Sequence, residues 1–293
     1  MKPPKLLSSS ISLICSLLAL SVNAASCKNL PTAQELRDLL IEVESPTVEN
    51  PTPNGGRAHH NWLTLVDGAG FVCAVVTSTP DGKDITNDTT VGLGHREASA
   101  RKAYTASVWS NSTGAIASGN LFFASLSGVA GSFYASPMAL SDPNNIYGRP
   151  GDIKRWGTNK DPMIGKVIGG FFPHAGGLAL FDSTKKKAGA IGISGDSNCT
   201  NHVIAWKMRE RLRNGAYASA NIPTGVAELV GGYKDQLIQD IVSLDPANPI
   251  HTEFDSMGLN GTPIKSLSGF GYPLCPLNPT QANDGGSIFR PPS

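Results

Sequence analysis

Imidazole, hydroxyl and amine groups set the chemistry open to this sequence. Six histidines are present, and their settings differ. His174 lies in Phe172-Pro173-His174-Ala175-Gly176-Gly177, where aromatic neighbours supply an apolar surrounding and glycines leave the backbone approachable. It is the first candidate for a metal ligand. His59 and His60 precede a strand, where adjacent side chains point to opposite faces, so only one can face a pocket. His95 opens a helix. His202 lies near the N-terminus of another helix, whose dipole disfavours imidazolium and keeps a nitrogen free to coordinate. Tyr104 and Met163 are weaker candidates, since both residue types commonly fill gaps.

Ser194 stands in Gly192-Ile193-Ser194-Gly195-Asp196, close to the G-x-S-x-G of a nucleophile elbow, with Asp196 at the last position. A triad of Ser194, His202 and Asp182 is conceivable, although the setting reads as antiparallel hairpins rather than a parallel hydrolase sheet. Gly192 and Gly195 mark backbone that bends sharply or admits a close neighbour. Lys102 and Thr105 fall one turn apart on one helix, where a cation and a hydroxyl together could meet a carboxylate. The alternative is a solvated lysine and a threonine bonded to its own helix. No P-loop, dinucleotide fingerprint, HExxH or paired-carboxylate spacing appears.

The elements that would hold these groups follow from periodicity. Residues 178–181 and 191–193 alternate as strands around a lysine-bearing turn at 182–187. A helix follows, with Ile204, Met208 and Leu212 at every fourth position and Asn214-Gly215 as its stop. Its positive end faces the glycine corner and could receive a carboxylate or propionate. Upstream, Thr32 with Glu35 forms a capping box. Residues 62–66 and 71–76 read as a second hairpin. Helices are expected at 95–109, 115–126 and 226–242, the last interrupted by Gly231-Gly232. Residues 137–170 form a long Pro- and Gly-rich loop, a candidate lid or interface.

Lys2 and Lys5 before an apolar run at 11–20, then Val22-Asn23-Ala24, read as a secretory signal peptide over residues 1–24. The run is too short to span a membrane. A periplasmic or secreted mature protein is therefore expected. Loss of both lysines leaves 22 of the 24 basic side chains against 23 acidic ones, a balance that favours neither nucleic acid nor an anionic membrane. Cys27, Cys73, Cys199 and Cys275 remain after cleavage, enough for two disulfides in any of three pairings. Their spacing lacks the C-x-x-C step of a tetrathiolate zinc site. Asn87, Asn111, Asn198 and Asn260 stand in N-x-S/T sequons.

Four motifs in order resemble the GlcG/HbpS haem-binding family, also found as the C-terminal domain of PduO-type proteins. They are Leu65-Val66-Asp67-Gly68-Ala69-Gly70, Lys102-Ala103-Tyr104-Thr105-Ala106, Gly176-Gly177-Leu178-Ala179-Leu180 and Gly189-Ala190-Ile191-Gly192-Ile193-Ser194-Gly195. The resemblance spans roughly residues 30–213. It implies an α+β fold, an antiparallel β-sheet flanked by helices, with a long loop insertion and a C-terminal extension. With the signal peptide (1–24) read above, the chain divides into a GlcG/HbpS-like domain (25–225) and a C-terminal helix with an irregular extension (226–293). It also implies haem as cofactor and a homo-oligomeric assembly; the residues read above then place His174 as iron ligand, with Lys102, Thr105, His202, Ser194 and Gly195 around the ligand. Two departures stand out: Asn201 replaces the family's acidic residue, and Ala179 replaces a proline. The alternative is an enzyme acting on a small organic acid or aromatic metabolite in the same pocket, using Lys102, His174 or Ser194.

Overall fold

The structure is a computed structural model and describes residues 27–47, 52–80, 85–126, 141–149, 151–250, 257–258, 261, 263–275 and 289–290. The expected signal peptide lies outside the described residues, as do Asn260 and residues 137–140 of the long loop.

The two hairpins expected from alternation are β1 (Trp62–Asp67) with β2 (Val72–Thr77), and β3 (Gly177–Phe181) with β4 (Lys187–Ser194). They join through β1 and β4 into a four-stranded antiparallel sheet of order β2-β1-β4-β3. The fold is therefore α+β, with helices on both faces. Helices α1 (Ala33–Glu44) and α4 (Asn198–Arg211) cover one face, where Leu36, Leu40 and Val203 join Leu63, Leu65, Ile191 and Ile193 in one cluster. On the other face lies α2 (Gly94–Trp109), where Ala100, Ala103 and Ala106 meet Trp62, Val66 and Val75. Burial on both faces is why β1 carries apolar residues at nearly every position. Thr64, polar in the middle of the strand, turns its hydroxyl to Ser99 of α2 at 2.8 Å.

Glycine and alanine let α2 lie on the sheet almost backbone to backbone. A Cβ on Gly192 would stand 2.0 Å from Ser99 O, and one on Gly177 would stand 2.4 Å from Lys102 O. Gly195 meets Asn61 and the His60 carbonyl, each at 2.6 Å from such a Cβ. Gly177, Gly192 and Gly195 thus serve helix-on-sheet and strand-end packing.

The long loop is a packed layer where it is described. A short helix α3 (Pro143–Tyr147) begins it, and Ile146, Met163 and Ile168 enter the cluster beneath α2. Buried Arg96 of α2 holds Asp161 through Nε at 2.9 Å and the Ile146 carbonyl through Nη1 at 2.9 Å. Met163, fully buried in that cluster, fills space there.

Two expected helices are absent. In place of a helix at 115–126, the chain makes 3-10 turns at Ser118–Leu121 and Phe123–Ser125. Ser118 Oγ donates to the His174 carbonyl at 2.5 Å and accepts from Gly177 N at 2.9 Å, so its side chain braces the loop before β3. Tertiary bonding outweighs helix propensity here. In place of a helix at 226–242, a 3-10 turn at Val226–Val230 ends on Gly231 at φ 75°, and the short strands β5 (Leu237–Ile238) and β6 (Ile241–Ser243) follow. β6 pairs with β7 (Ile264–Ser266), and β5 runs parallel to β8 (Phe289–Arg290). Leu237 and Tyr272 belong to the main core cluster.

Disulfides join Cys27 to Cys73 and Cys199 to Cys275. The first ties the segment before α1 to β2, the second ties α4 to the C-terminal segment. Among the described residues no helix is long and apolar enough to cross a membrane.

Candidate functional site

A groove of about 540 Å³ opens where the N-terminus of α2, the loop before β3 and the β4–α4 corner converge. The α2 side supplies His95, Glu97, Ala98 and Arg101, the loop supplies Phe172 and His174, and the corner supplies Ser194, Asp196, Ser197 and Asn198. Ser197 caps α4 by accepting from Thr200 N at 3.2 Å, which fixes the start of the helix at the groove wall.

His174 sits between two aromatic rings, 4.9 Å from Phe172 and 5.8 Å from Phe122 between centroids. Burial, with Lys102 and Arg101 nearby, lowers its pKa to about 4, so the ring is neutral at physiological pH. Its Nδ1 is 3.4 Å from Asn198 Nδ2. Arg101 stacks its guanidinium 5.1 Å over the Phe172 ring and donates to the Phe171 carbonyl at 3.2 Å. A cation, a neutral imidazole and an aromatic face thus stand together.

Ser194 and His95 are also brought together, with Oγ 3.0 Å from Nδ1. The pKa of His95 is lowered, first by burial, then by Lys102 and His59, while Asp196 opposes this. The imagined partners of Ser194 are elsewhere. Asp182 belongs to the β3–β4 turn, where its carboxylate accepts from Thr184 N at 2.9 Å, at the other end of β4 from Ser194. His202 is fully buried within α4, 6.1 Å from the Trp206 ring, and burial lowers its pKa to about 3. The Ser194/His202/Asp182 triad is therefore not assembled.

Lys102 and Thr105 lie under the groove rather than on its lining. Lys102 is fully buried and donates to the Ile193 carbonyl at 3.1 Å and Asn198 Oδ1 at 3.0 Å. Burial lowers its pKa to about 7. Thr105 Oγ1 donates to the Arg101 carbonyl at 2.8 Å and accepts from Phe172 N at 2.9 Å. Thr105 thus holds the loop at Phe172, and Lys102 ties the end of β4 to the start of α4. Gly195 packs against Asn61, as above, and does not line the groove.

Sequence reasoning missed Arg101, Glu97 and Asn198. The spacing of Gly94, Glu97, Ala98 and Arg101 is the i, i+3, i+4, i+7 stripe of one helix face, a signal overshadowed by the neighbouring Lys102. Asn198 stands in a sequon, and its side chain is engaged by Lys102.

No protein-family model matches the sequence, and no curated protein matches it. Among solved structures, the chain is similar to Klebsiella pneumoniae protein ORFY, described with the family model DUF336. That match has 14% identity and a TM-score of 0.34, over 60% of this chain and 84% of the other. It is similar at the same TM-score of 0.34 to a PduOC:heme complex, with 19% identity over 60% of this chain and 87% of the other.

Proposed function

We propose that this is a secreted or periplasmic haem-binding protein of GlcG/HbpS type, which sequesters or carries haem, or slowly degrades it, in the groove beside α2. The observation that carries the reading is His174, a neutral imidazole held between Phe122 and Phe172 at the groove wall. An axial nitrogen, an apolar ring neighbour and a nearby cation are what an iron porphyrin with propionates requires. His174 would hold the iron, Phe172 would lie against the macrocycle, and Arg101 with the α4 N-terminus would meet a propionate. Bound iron would supply a Lewis-acid site and redox chemistry. The residues present fit the group on two conditions: Arg101 must exchange Glu97, whose Oε1 lies 3.6 Å from its Nη1, for the propionate, and the Asn198 amide must change its partner. Asn198 Oδ1 is taken by Lys102, which turns Nδ2 toward His174 Nδ1. Ligation through Nε2 is favoured when Nδ1 carries its proton and meets an acceptor instead. The two disulfides suit an oxidising compartment, and the proposal includes a homo-oligomer. Titration with hemin tests it: a Soret shift saturating at fixed stoichiometry supports the reading, and a featureless titration defeats it.

The 3.0 Å contact between Ser194 and His95 favours a second reading, an enzyme acting on a small organic acid. His95 would take the serine proton and Arg101 would anchor the substrate carboxylate. Turnover of short-chain carboxylate esters that vanishes in Ser194→Ala supports this reading, and its absence in the unaltered protein removes it.

A further inference from the structure

A second pocket, of about 270 Å³, lies at the C-terminus of α1, and Asp196 lies on the wall it shares with the groove. Its volume is near the lower end for small-molecule sites. Its walls are largely apolar, with Ile41, Pro53 and Ile204 among them. Two oxygens in this lining are buried without a hydrogen-bond partner, Glu44 Oε1 and Asn54 Oδ1. Asn54 is only 4% exposed, and its Nδ2 donates to the Val43 carbonyl at 2.8 Å, so its acceptor end is fixed in place. Glu44 is the last residue of α1, where the helix dipole opposes a negative charge. Burial pushes its pKa up to about 7, Asp196 adds to the rise, and hydrogen bonds from Ser78 and Asn61 to the carboxylate pull the other way, leaving Oε1 as its unpartnered oxygen. Orphaned acceptors at a site that opposes anions call for a ligand rich in N–H donors, and the apolar walls call for an alkyl chain.

We propose that this pocket binds a small aliphatic primary ammonium. Its N–H groups meet Glu44 Oε1 and Asn54 Oδ1, and its chain lies against Ile41, Pro53 and Ile204. The other charged or titratable groups around Glu44 are Asp196 at the β4–α4 corner, His59 and His60 before β1, and Lys207 of α4. Asp196 is occupied by Arg57 N at 2.8 Å and His59 N at 3.3 Å, and Lys207 Nζ donates to the Pro53 carbonyl at 2.8 Å. The ammonium therefore reads Glu44 as its counter-ion, and binding weakens as Glu44 takes up a proton.

The test is calorimetric titration of the purified protein with n-pentylamine and with n-pentanol, at about pH 8 and about pH 5.5. The amine should bind saturably at one site, roughly tenfold more tightly than the alcohol. Its affinity should fall by about tenfold or more at the lower pH, as the ionised fraction of Glu44 falls. Glu44→Gln should lower amine affinity at the higher pH and flatten the pH dependence. Absence of saturable amine binding, equal binding of the alcohol, or an unchanged pH profile in Glu44→Gln overturns the proposal. The pH series on the unaltered protein needs no variant to fold. Hemin titration reads the other groove, so either reading can fail alone.

Discussion

Lys102 Nζ donates to Asn198 Oδ1 at 3.0 Å, and that bond decides which end of the amide Asn198 shows to His174. The amide nitrogen faces Nδ1 at 3.4 Å, a contact that suits the tautomer with its proton on Nε2. A carboxylate at position 198 would accept from Lys102 and from a protonated Nδ1 together, raising the basicity of Nε2. Asn198→Asp should therefore tighten hemin binding by about tenfold, whereas Asn198→Leu should not. Equal affinities in Soret titrations of the two variants would dissociate Asn198 from the site.

His202 predicts an acid limb of stability. Its folded pKa, about 3, lies below the ordinary 6.5, so an unfolded chain binds a proton between those values that the folded chain excludes. Its contribution is complete above about pH 6.5 and is lost as pH falls toward 3. Urea unfolding of His202→Phe should show a difference in stability between pH 7 and pH 4 that is smaller than the parent's by roughly 3 kcal/mol. An unchanged difference would assign the acid limb to other groups.

Arg209 and Asp235 form a two-pronged pair, both side chains fully buried, at 2.7 and 2.9 Å. Removing Asp235 leaves the buried guanidinium with only Ser219 Oγ at 2.9 Å and the Glu210 carboxylate at 4.0 Å. Asp235→Ala should cost about 3–5 kcal/mol, read as a drop in the urea midpoint. A cost within about 0.5 kcal/mol would show that the segment after residue 226 contributes little to the core.

Gly192 makes the tightest helix-to-sheet approach. Gly192→Ala must push α2 away from β4, an overpacking cost of about 3 kcal/mol or more, measured by thermal unfolding. It should also loosen hemin binding, because α2 carries Arg101 and His95. Hemin affinity held at the parent's value in a destabilised Gly192→Ala would disconnect α2 from the groove.

The parts of this fold legible in the sequence were those with a local signal. Alternation in 62–66, 71–76, 178–181 and 191–193 announced the hairpins, and Thr32 capped α1 through its hydroxyl to Glu35 N at 3.2 Å as the capping box implied. Elements whose conformation depends on distant partners were not legible. Ser118 and Asn120 look helical until their side chains are taken by the His174 carbonyl and the Gln236 carbonyl. Val226 to Val242 has a helical pattern of apolar residues, but Gly231 in the left-handed region breaks it and Leu237 turns into the main core. At the site, the aromatic and glycine setting of His174 was visible from composition alone. The burial of Lys102 was not, because a lysine on a helix gives no sign that glycines opposite will bring its backbone against a strand. Likewise Ser194 suggested a nucleophile, but its imidazole partner proved to be His95, ninety-nine residues away.

The most direct measurement is a Soret titration of the purified protein with hemin, alongside His174→Ala and Arg101→Ala. The parent should saturate at one haem per chain or at another fixed ratio. His174→Ala should lose the ligated Soret position and at least about tenfold in affinity, and Arg101→Ala should weaken binding while keeping that position. Identical spectra and affinities for the parent and His174→Ala would contradict the account.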